Sequence, residues 1–352
     1  MRKKQAKLKA VDFFCGAGGM TNGFSKAGIK VLAGVDIDKD CKDTYEKNNI
    51  GSKFIEADIK KMQVEGLAEL AGIKRNDDAL VFIGCSPCQY WSIINTDKTK
   101  SKKSRNLLKD FQKFVEYYNP GFIVIENVPG LYSKKKETPL THFLRFLEEK
   151  KYVTDKGVLN ASKHGVPQSR KRFLLVASRV SPKISLPQPT KKVAIVKDFI
   201  FNEKKFYPIG AGHKDGTDFI HTTAGLSATN LKRLRITPKN GGTRMAWKDN
   251  PELQIKAYAN KDDIFRDVYG RMRWGTPGPT ITTKFFSISN GRFAHPEQDR
   301  PISLREGATL QTFDTKYKFF GNSMASIARQ IGNAVPPELS KRIAKAIIKH
   351  SH

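Results

Sequence analysis

A thiol, a carboxyl and two guanidiniums in the first half of the chain are of types that do chemistry together. Cys88 sits in GCSPCQYWS, directly after the apolar run Leu80 to Gly84, and Pro87 fixes the backbone just before it. Glu126, with Asn127 and Val128, ends the apolar run that starts at Phe122, and Gln168-Ser169-Arg170-Lys171-Arg172 opens the following one. If those runs are strands of one sheet, the groups converge on the rim where open α/β sheets bind their ligands. Taken singly, Cys88 is equally a buried structural cysteine or half of a redox pair with Cys85, and the charged residues make ordinary salt bridges. As a set beside a nucleoside-binding loop, they suggest chemistry on a base.

A glycine turn supplies the second half of such a site. DFFCGAGG runs from Asp12 through Phe14, Gly16 and Gly18 to Gly19, between a first apolar run and a helical stretch near Thr21 to Lys26. Glycines there let backbone approach a ligand and aim the N–H groups of a helix start at it. The dinucleotide pattern G-x-G-x-x-G needs a third glycine at position 21, where Thr21 stands, which disfavours a nicotinamide oxidoreductase. Asp36 and Asp58 end the next two apolar runs. Acids at three adjacent strand ends fit a nucleoside with ribose hydroxyls and an exocyclic amine but no pyrophosphate, which is the profile of S-adenosyl-L-methionine. A tight turn with helix-capping carboxylates accounts for the segment without any ligand.

The elements that must carry these groups are short and alternate in type. Strands are expected at Val11 to Phe14, Lys30 to Asp36, Lys53 to Ala57, Leu80 to Gly84, Phe122 to Glu126 and Arg172 to Ala177, forming a parallel α/β sheet. Leu107, Leu108, Phe111, Phe114 and Val115 recur at helical spacing, as do Phe143, Leu144 and Leu147, and read as core faces. After Arg179 the texture changes: Pro182, Pro187 and Pro189 are followed by a stretch rich in glycine, threonine and basic residues up to about Arg300. From Ser326 to His350 a helical pattern returns, with Ile343, Ala344, Ile347 and Ile348 on its apolar face.

Composition bounds the partner. The 352 residues carry 63 Lys+Arg against 34 Asp+Glu, a formal charge of +29, so nucleic acid heads the list of partners and an anionic membrane surface comes second. No apolar stretch approaches the roughly 20 residues of a spanning helix, so no membrane segment is expected. The basic N-terminus leads into a glycine cluster instead of a signal peptide, and the four cysteines, Cys15, Cys41, Cys85 and Cys88, make one C-x-x-C pair and no second one for a zinc site. A reducing, cytoplasmic, nucleoid-associated setting without a metal is expected.

Six motifs in fixed order resemble the DNA cytosine-5 methyltransferases: D-x-F-x-G-x-G-G at Asp12 to Gly19, P-C-Q at Pro87 to Gln89, E-N-V at Glu126 to Val128, Q-x-R-x-R at Gln168 to Arg172, R-E-x-x-x-L-Q-x-F at Arg305 to Phe313, and Q-I-G-N-A-V-P-P at Gln330 to Pro337. Asp314 stands where the family usually has a proline. The resemblance implies a Rossmann-like S-adenosylmethionine-dependent methyltransferase domain with a smaller, mostly β and loop target-recognition domain across a DNA cleft. On that pattern residues 1–185 form the first part of the catalytic domain, 186–300 the recognition domain, 301–325 a hinge, and 326–352 a C-terminal helix that returns beside the first strand.

By the same resemblance Cys88 adds to C6 of a flipped-out cytosine, a protonated Glu126 with its pKa raised by desolvation meets N3, Arg172 holds O2 and Arg170 braces the site. S-adenosyl-L-methionine, leaving as S-adenosyl-L-homocysteine, is implied to lie against Asp12, Phe14, Gly16, Gly18, Gly19, Asp36, Asp58, Pro87, Asn333 and Val335. The loop with Gln89, Ser92, Lys98, Lys100, Lys102, Lys103 and Arg105 is implied to close on double-stranded DNA. Thr280-Ile281 resembles the threonine-aliphatic pair of family recognition domains, and Arg244, Arg271, Arg273 and Arg292 are candidates for reading guanine edges. A monomer is expected, with a cognate restriction endonuclease as a candidate partner. A tRNA cytosine-5 methyltransferase would share every catalytic residue, and a silent nucleic-acid-binding protein on the same scaffold is the rival outside enzymes.

Overall fold

The computed structural model describes residues 7–86, 106–132, 138–258, 262 and 264–351. Contacts divide the chain into two compact units, 1–160 with 171–189 and 335–352, and 161–170 with 190–334. The first boundary therefore falls near Pro189 instead of residue 185, a ten-residue piece of the first half joins the second unit, and the return to the first unit starts at Val335 instead of residue 326.

In the first unit the expected alternation forms in order: β1 (Lys9–Phe13), α1 (Gly19–Lys26), β2 (Lys30–Asp36), α2 (Lys42–Asn48), β3 (Lys53–Glu56), α3 (Gly66–Ala71), β4 (Leu80–Gly84), α4 (Leu107–Tyr118), β5 (Phe122–Asn127), α5 (Pro139–Glu149) and β6 (Val153–Asn160). After β7 (Gln168–Ser169), which belongs to the second unit, β8 (Lys171–Ser178) completes a seven-stranded sheet in the order β3-β2-β1-β4-β5-β8-β6. Phe13, Phe82, Phe111 and Phe114 are buried beside the sheet, with Phe13 centroids 5.1 to 5.2 Å from the other three. Each such pair contributes about 0.5–1.5 kcal/mol beyond its buried area.

The sheet is not all parallel, as expected, but mixed. β8 runs antiparallel to β5, with Glu126 opposite Leu174 and Asn127 opposite Phe173, and β6 is antiparallel to β8. This corrects the direction of one strand and has a functional consequence. In a parallel sheet the start of β8 would lie at the amino edge, away from the end of β5; reversed, it opens beside Glu126.

The second unit holds α6 (Lys197–Ile200), α7 (Ala228–Ile236), β9 (Gly278–Pro279), α8 (Leu304–Leu310) and α9 (Met324–Asn333). Its described residues are mostly loop, with short helices and one two-stranded parallel pair, β7 with β9. A buried ion pair organises it: Arg300 donates from Nη1 and Nη2 to the two carboxylate oxygens of Glu306, each at 2.7 Å and both residues fully buried. Glu306 also closes a capping box with Ser303 at the start of α8.

The single C-terminal helix expected from residue 326 is two helices, α9 and α10 (Pro337–Lys349), broken at Ala334-Val335-Pro336. Proline at 336 and 337 has no N–H to continue a helix, so the break is local chemistry. α10 packs against α1, the helix that follows β1: a Cβ added at Gly23 would fall 2.3 Å from Ser340 Cβ and 2.5 Å from the Pro337 carbonyl oxygen.

Candidate active site

Two clusters lie at the carboxyl edge of the first unit's sheet. The first is the glycine turn. Phe14, Gly16 and Gly18 all have positive φ, at 63°, 49° and 82°, so the chain reverses sharply between β1 and α1. Asp36 holds that turn: its Oδ2 accepts from the Gly16 N–H at 2.8 Å and its Oδ1 from the Asp38 N–H at 2.8 Å. Burial pushes the Asp36 carboxyl up, and the backbone donors pull it part of the way back.

A Cβ placed on Gly16 would meet nothing within 4 Å, so the turn presents an open face. No lysine or arginine lies in it, and Asp36 keeps acceptor capacity beyond its two backbone donors. Open backbone and a carboxylate suit a cationic nucleoside with ribose hydroxyls and do not suit a pyrophosphate. The residues present therefore fit S-adenosyl-L-methionine. Asp58, half-buried after β3, accepts from the Lys60 N–H at 3.0 Å and lines a surface cavity of about 480 Å³ with Ala57, Lys61, Met62 and Leu70.

Asp12 has a different place from the expected one. Fully buried, it accepts through Oδ2 from the Thr21 N–H at 3.1 Å and the Thr21 hydroxyl at 2.7 Å, so it ties α1 to β1 from beneath the turn instead of facing a ligand. Gly19 is likewise buried as the first residue of α1. Asn333 is exposed at the end of α9 in the second unit, and Val335 is buried where the chain re-enters the first.

The second cluster is built by β4, β5 and β8. Arg172 Nε lies 3.1 Å from Glu126 Oε1, with the side chains 15% and 9% exposed. Arg172 also donates from Nη1 to the Lys171 carbonyl oxygen at 2.7 Å. Asn127 donates from Nδ2 to both the carbonyl oxygen and the Oγ of Ser86, each at 3.1 Å, and so holds the chain two residues ahead of Cys88. Cys88, Pro87, Gln89, Ser92, Lys98, Lys100, Lys102, Lys103 and Arg105 lie outside the described residues.

Arg170 is a brace and not a group that can meet substrate here. Its buried guanidinium donates to the carbonyl oxygens of Ile281, Gly332 and Ala334. Gln168, beside it, donates to Leu310 O and Gln311 Oε1 and accepts from the Ile281 N–H, so the motif's glutamine and first arginine lock the second unit internally.

The recognition candidates divide by burial. Arg271 is fully buried and donates to the carbonyl oxygens of Leu234, Thr237, His295 and Gln298 and to Asp299. Arg244, 3% exposed, donates to the carbonyl oxygens of Ile264 and Phe265. Both are corrected from base readers to internal scaffold, since their donors already satisfy carbonyls that burial would otherwise orphan. Ile281 is fully buried and is corrected likewise, while Thr280 donates to the Ser169 carbonyl oxygen at 2.9 Å. Arg292, partly exposed, pairs with Asp267, and Arg273 is exposed.

Comparison with known proteins supplies what geometry alone does not. The family profile described as C-5 cytosine-specific DNA methylase matches residues 8–349. The Type II methylase M.HgiDII of Herpetosiphon aurantiacus is 38% identical over 96% of this chain and 94% of its own length. The Type II methyltransferase M1.HphI of Haemophilus parahaemolyticus is 30% identical over 97% and 87%. Among solved structures, an Escherichia coli prophage protein described as a DNA modification methyltransferase superposes with a TM-score of 0.73 at 21% identity, over 97% of this chain and 99% of that one.

Proposed function

Because the chain belongs to the C-5 cytosine-specific DNA methylase family, we propose that it methylates C5 of a specific cytosine in double-stranded DNA with S-adenosyl-L-methionine as donor. The observation that carries this reading is the placement of Arg172 at 3.1 Å from Glu126, on the rim to which β4 delivers Ser86, two residues before Cys88 in the sequence.

C5 of cytosine is a weak nucleophile until something adds at C6. Cys88 thiolate forms the S–C6 bond, and the ring's electron pair moves toward N3 and O2. The carboxyl of Glu126 meets N3, and Arg172 holds the charge at O2. When bound, S-adenosyl-L-methionine supplies the electrophilic methyl for C5 and leaves as S-adenosyl-L-homocysteine. Transfer of the C5 proton to solvent water then expels the Cys88 thiolate and restores the ring. None of this fits inside a stacked duplex, so the base is flipped out, at a cost of a few kcal/mol that protein contacts offset.

Phe14, Gly16, Gly18, Asp36 and Asp58 hold the cofactor, with Val335, where the chain re-enters the first unit, beside them. The lysine-rich loop after Cys88 grips phosphates, and Arg273, Arg292 and Thr280 are the exposed or half-exposed residues left to approach the target sequence. The enzyme acts as a monomer on nucleoid DNA in the cytoplasm, and a restriction endonuclease of the same specificity is its natural companion.

Conversion sequencing of DNA from cells expressing the chain should reveal 5-methylcytosine in one short sequence context. DNA carrying 5-fluorocytosine there should form a complex stable to denaturant, because C5 then has no proton to lose, and Cys88→Ser should form none. Methylation found in tRNA and absent from DNA would overturn the substrate assignment.

A further inference from the structure

Beneath the glycine turn runs a buried chain of hydroxyls that the chemistry above does not use. The Thr21 hydroxyl donates to Asp12 Oδ2 at 2.7 Å, lies 3.0 Å from the Tyr45 hydroxyl, and the Tyr45 hydroxyl lies 2.7 Å from Ser52 Oγ. Thr21 has only one proton to give and gives it to Asp12 Oδ2, so it accepts from Tyr45, and Tyr45 in turn accepts from Ser52. The chain is thus polarised from Ser52 toward Asp12. Asp12, Thr21 and Tyr45 are fully buried and Ser52 is 9% exposed.

Its location matters more than its length. Asp12 is on β1, Thr21 in the first turn of α1, Tyr45 on α2, and Ser52 immediately precedes β3. The ring of Tyr45 is fitted against β2, where a Cβ at Gly34 would sit 2.6 Å from its hydroxyl oxygen, and it meets Phe54 edge-on at 5.6 Å. One phenol therefore touches the strand that carries Asp36, the helix start behind the glycine turn and the segment leading to Asp58. Buried hydrogen-bonded networks of this kind fix a single geometry, since breaking one link leaves polar groups without water to replace it.

We propose that Tyr45 is a positioning residue of the cofactor site, its hydroxyl setting the spacing of the glycine turn, Asp36 and Asp58 to a nucleoside. The inference rests on the proposed cofactor. It does not place Tyr45 in contact with any ligand, and it separates two effects that a general loss of packing would combine.

Tyr45→Phe keeps the ring and removes the link. Its dissociation constant for S-adenosyl-L-homocysteine, measured by calorimetry, and its KM for S-adenosyl-L-methionine should each rise about tenfold, with kcat and the KM for DNA within about twofold of wild type. Thr21→Val should reproduce the loss and Thr21→Ser, which keeps a hydroxyl, should restore affinity. In the Thr21→Val/Tyr45→Phe double variant the losses should be less than multiplicative, because both cut one chain. Ser52→Ala, at the exposed end, tests the same link where Tyr45→Phe fails to fold. Wild-type affinity in folded Tyr45→Phe and Ser52→Ala, or an equal fall in kcat and in affinity for DNA, overturns the proposal. Failure of wild-type protein itself to bind S-adenosyl-L-homocysteine would instead overturn the cofactor assignment on which it rests.

Discussion

Arg172 Nε stands 3.1 Å from Glu126 Oε1 because β8 runs back along β5, so that the beginning of one strand meets the end of the other. On the proposed mechanism these are the carboxyl and the guanidinium that meet N3 and O2 of the cytosine, and they stand together with no base bound. Removing either should slow turnover without unfolding the sheet, because both lie at its rim. Arg172→Ala should lower kcat about 10²–10³-fold, and Glu126→Ala about 10²–10⁴-fold. The double variant should fall short of the product of the two, as for residues acting on one ring. Methyl incorporation into unmodified genomic DNA measures all three, and an Arg172→Ala enzyme within threefold of wild type would remove the pair from the chemistry.

Asp12 sets a pH dependence of stability. Burial pushes its carboxyl from an ordinary 3.8 up to about 7, with the Thr21 hydrogen bonds opposing the rise. The folded chain then keeps a proton that the unfolded chain releases. The contribution to stability is complete below about pH 4 and is lost as pH rises through about 7. Asp36, also raised by burial, acts in the same direction. Glu306 does not compete in that range: burial would raise it, but Arg300 holds it at about 2. Wild type should lose roughly 2 kcal/mol from this one group between about pH 5.5 and 8.5. In Asp12→Asn the thermal midpoint should vary less over the same range; an unchanged pH slope would mean Asp12 is ionised in the fold.

Much of this arrangement was legible in the sequence, and the gaps have physical causes. Strands buried on both faces are easily found, as in the continuous apolar runs Leu80 to Gly84 and Phe122 to Ile125. β6 was missed because it is an edge strand whose residues, among them Asp155, Lys156 and Gly157, are at least partly exposed. The direction of β8 is written nowhere locally; it follows from which neighbour the strand pairs with. The charge total could not tell Arg271, folded inward onto four carbonyls, from Arg273 on the surface. Tyr45 and Ser52 carry no motif at all, since a buried hydroxyl chain depends on elements meeting in space.

The net charge of +29 also predicts how binding responds to salt. If about six phosphates are neutralised, DNA affinity should fall on the order of a thousandfold between about 50 and 200 mM salt. Alanine in place of Lys98, Lys100, Lys102 and Lys103 should weaken binding to all sequences alike and flatten that slope. A change in the methylated sequence context, with the slope intact, would move those lysines from phosphate contact to base reading.

Gly23 ties α1 to α10. The glycine lets α10 lie so close to α1 that an added methyl would meet Ser340 Cβ at 2.3 Å, the Pro337 carbonyl oxygen at 2.5 Å and the Lys341 nitrogen at 2.7 Å. Two of those three atoms are backbone, so no side-chain rotation relieves the clash, and α10 has to move. Gly23→Ala should cost about 1–3 kcal/mol by overpacking. Because α1 starts at the glycine turn, the displacement should also weaken S-adenosyl-L-homocysteine binding. A chain ending after about residue 320 loses α10 altogether and should bind none. If Gly23→Ala retained both wild-type stability and wild-type affinity, α10 would be a passive cover, not a part of the cofactor site's support.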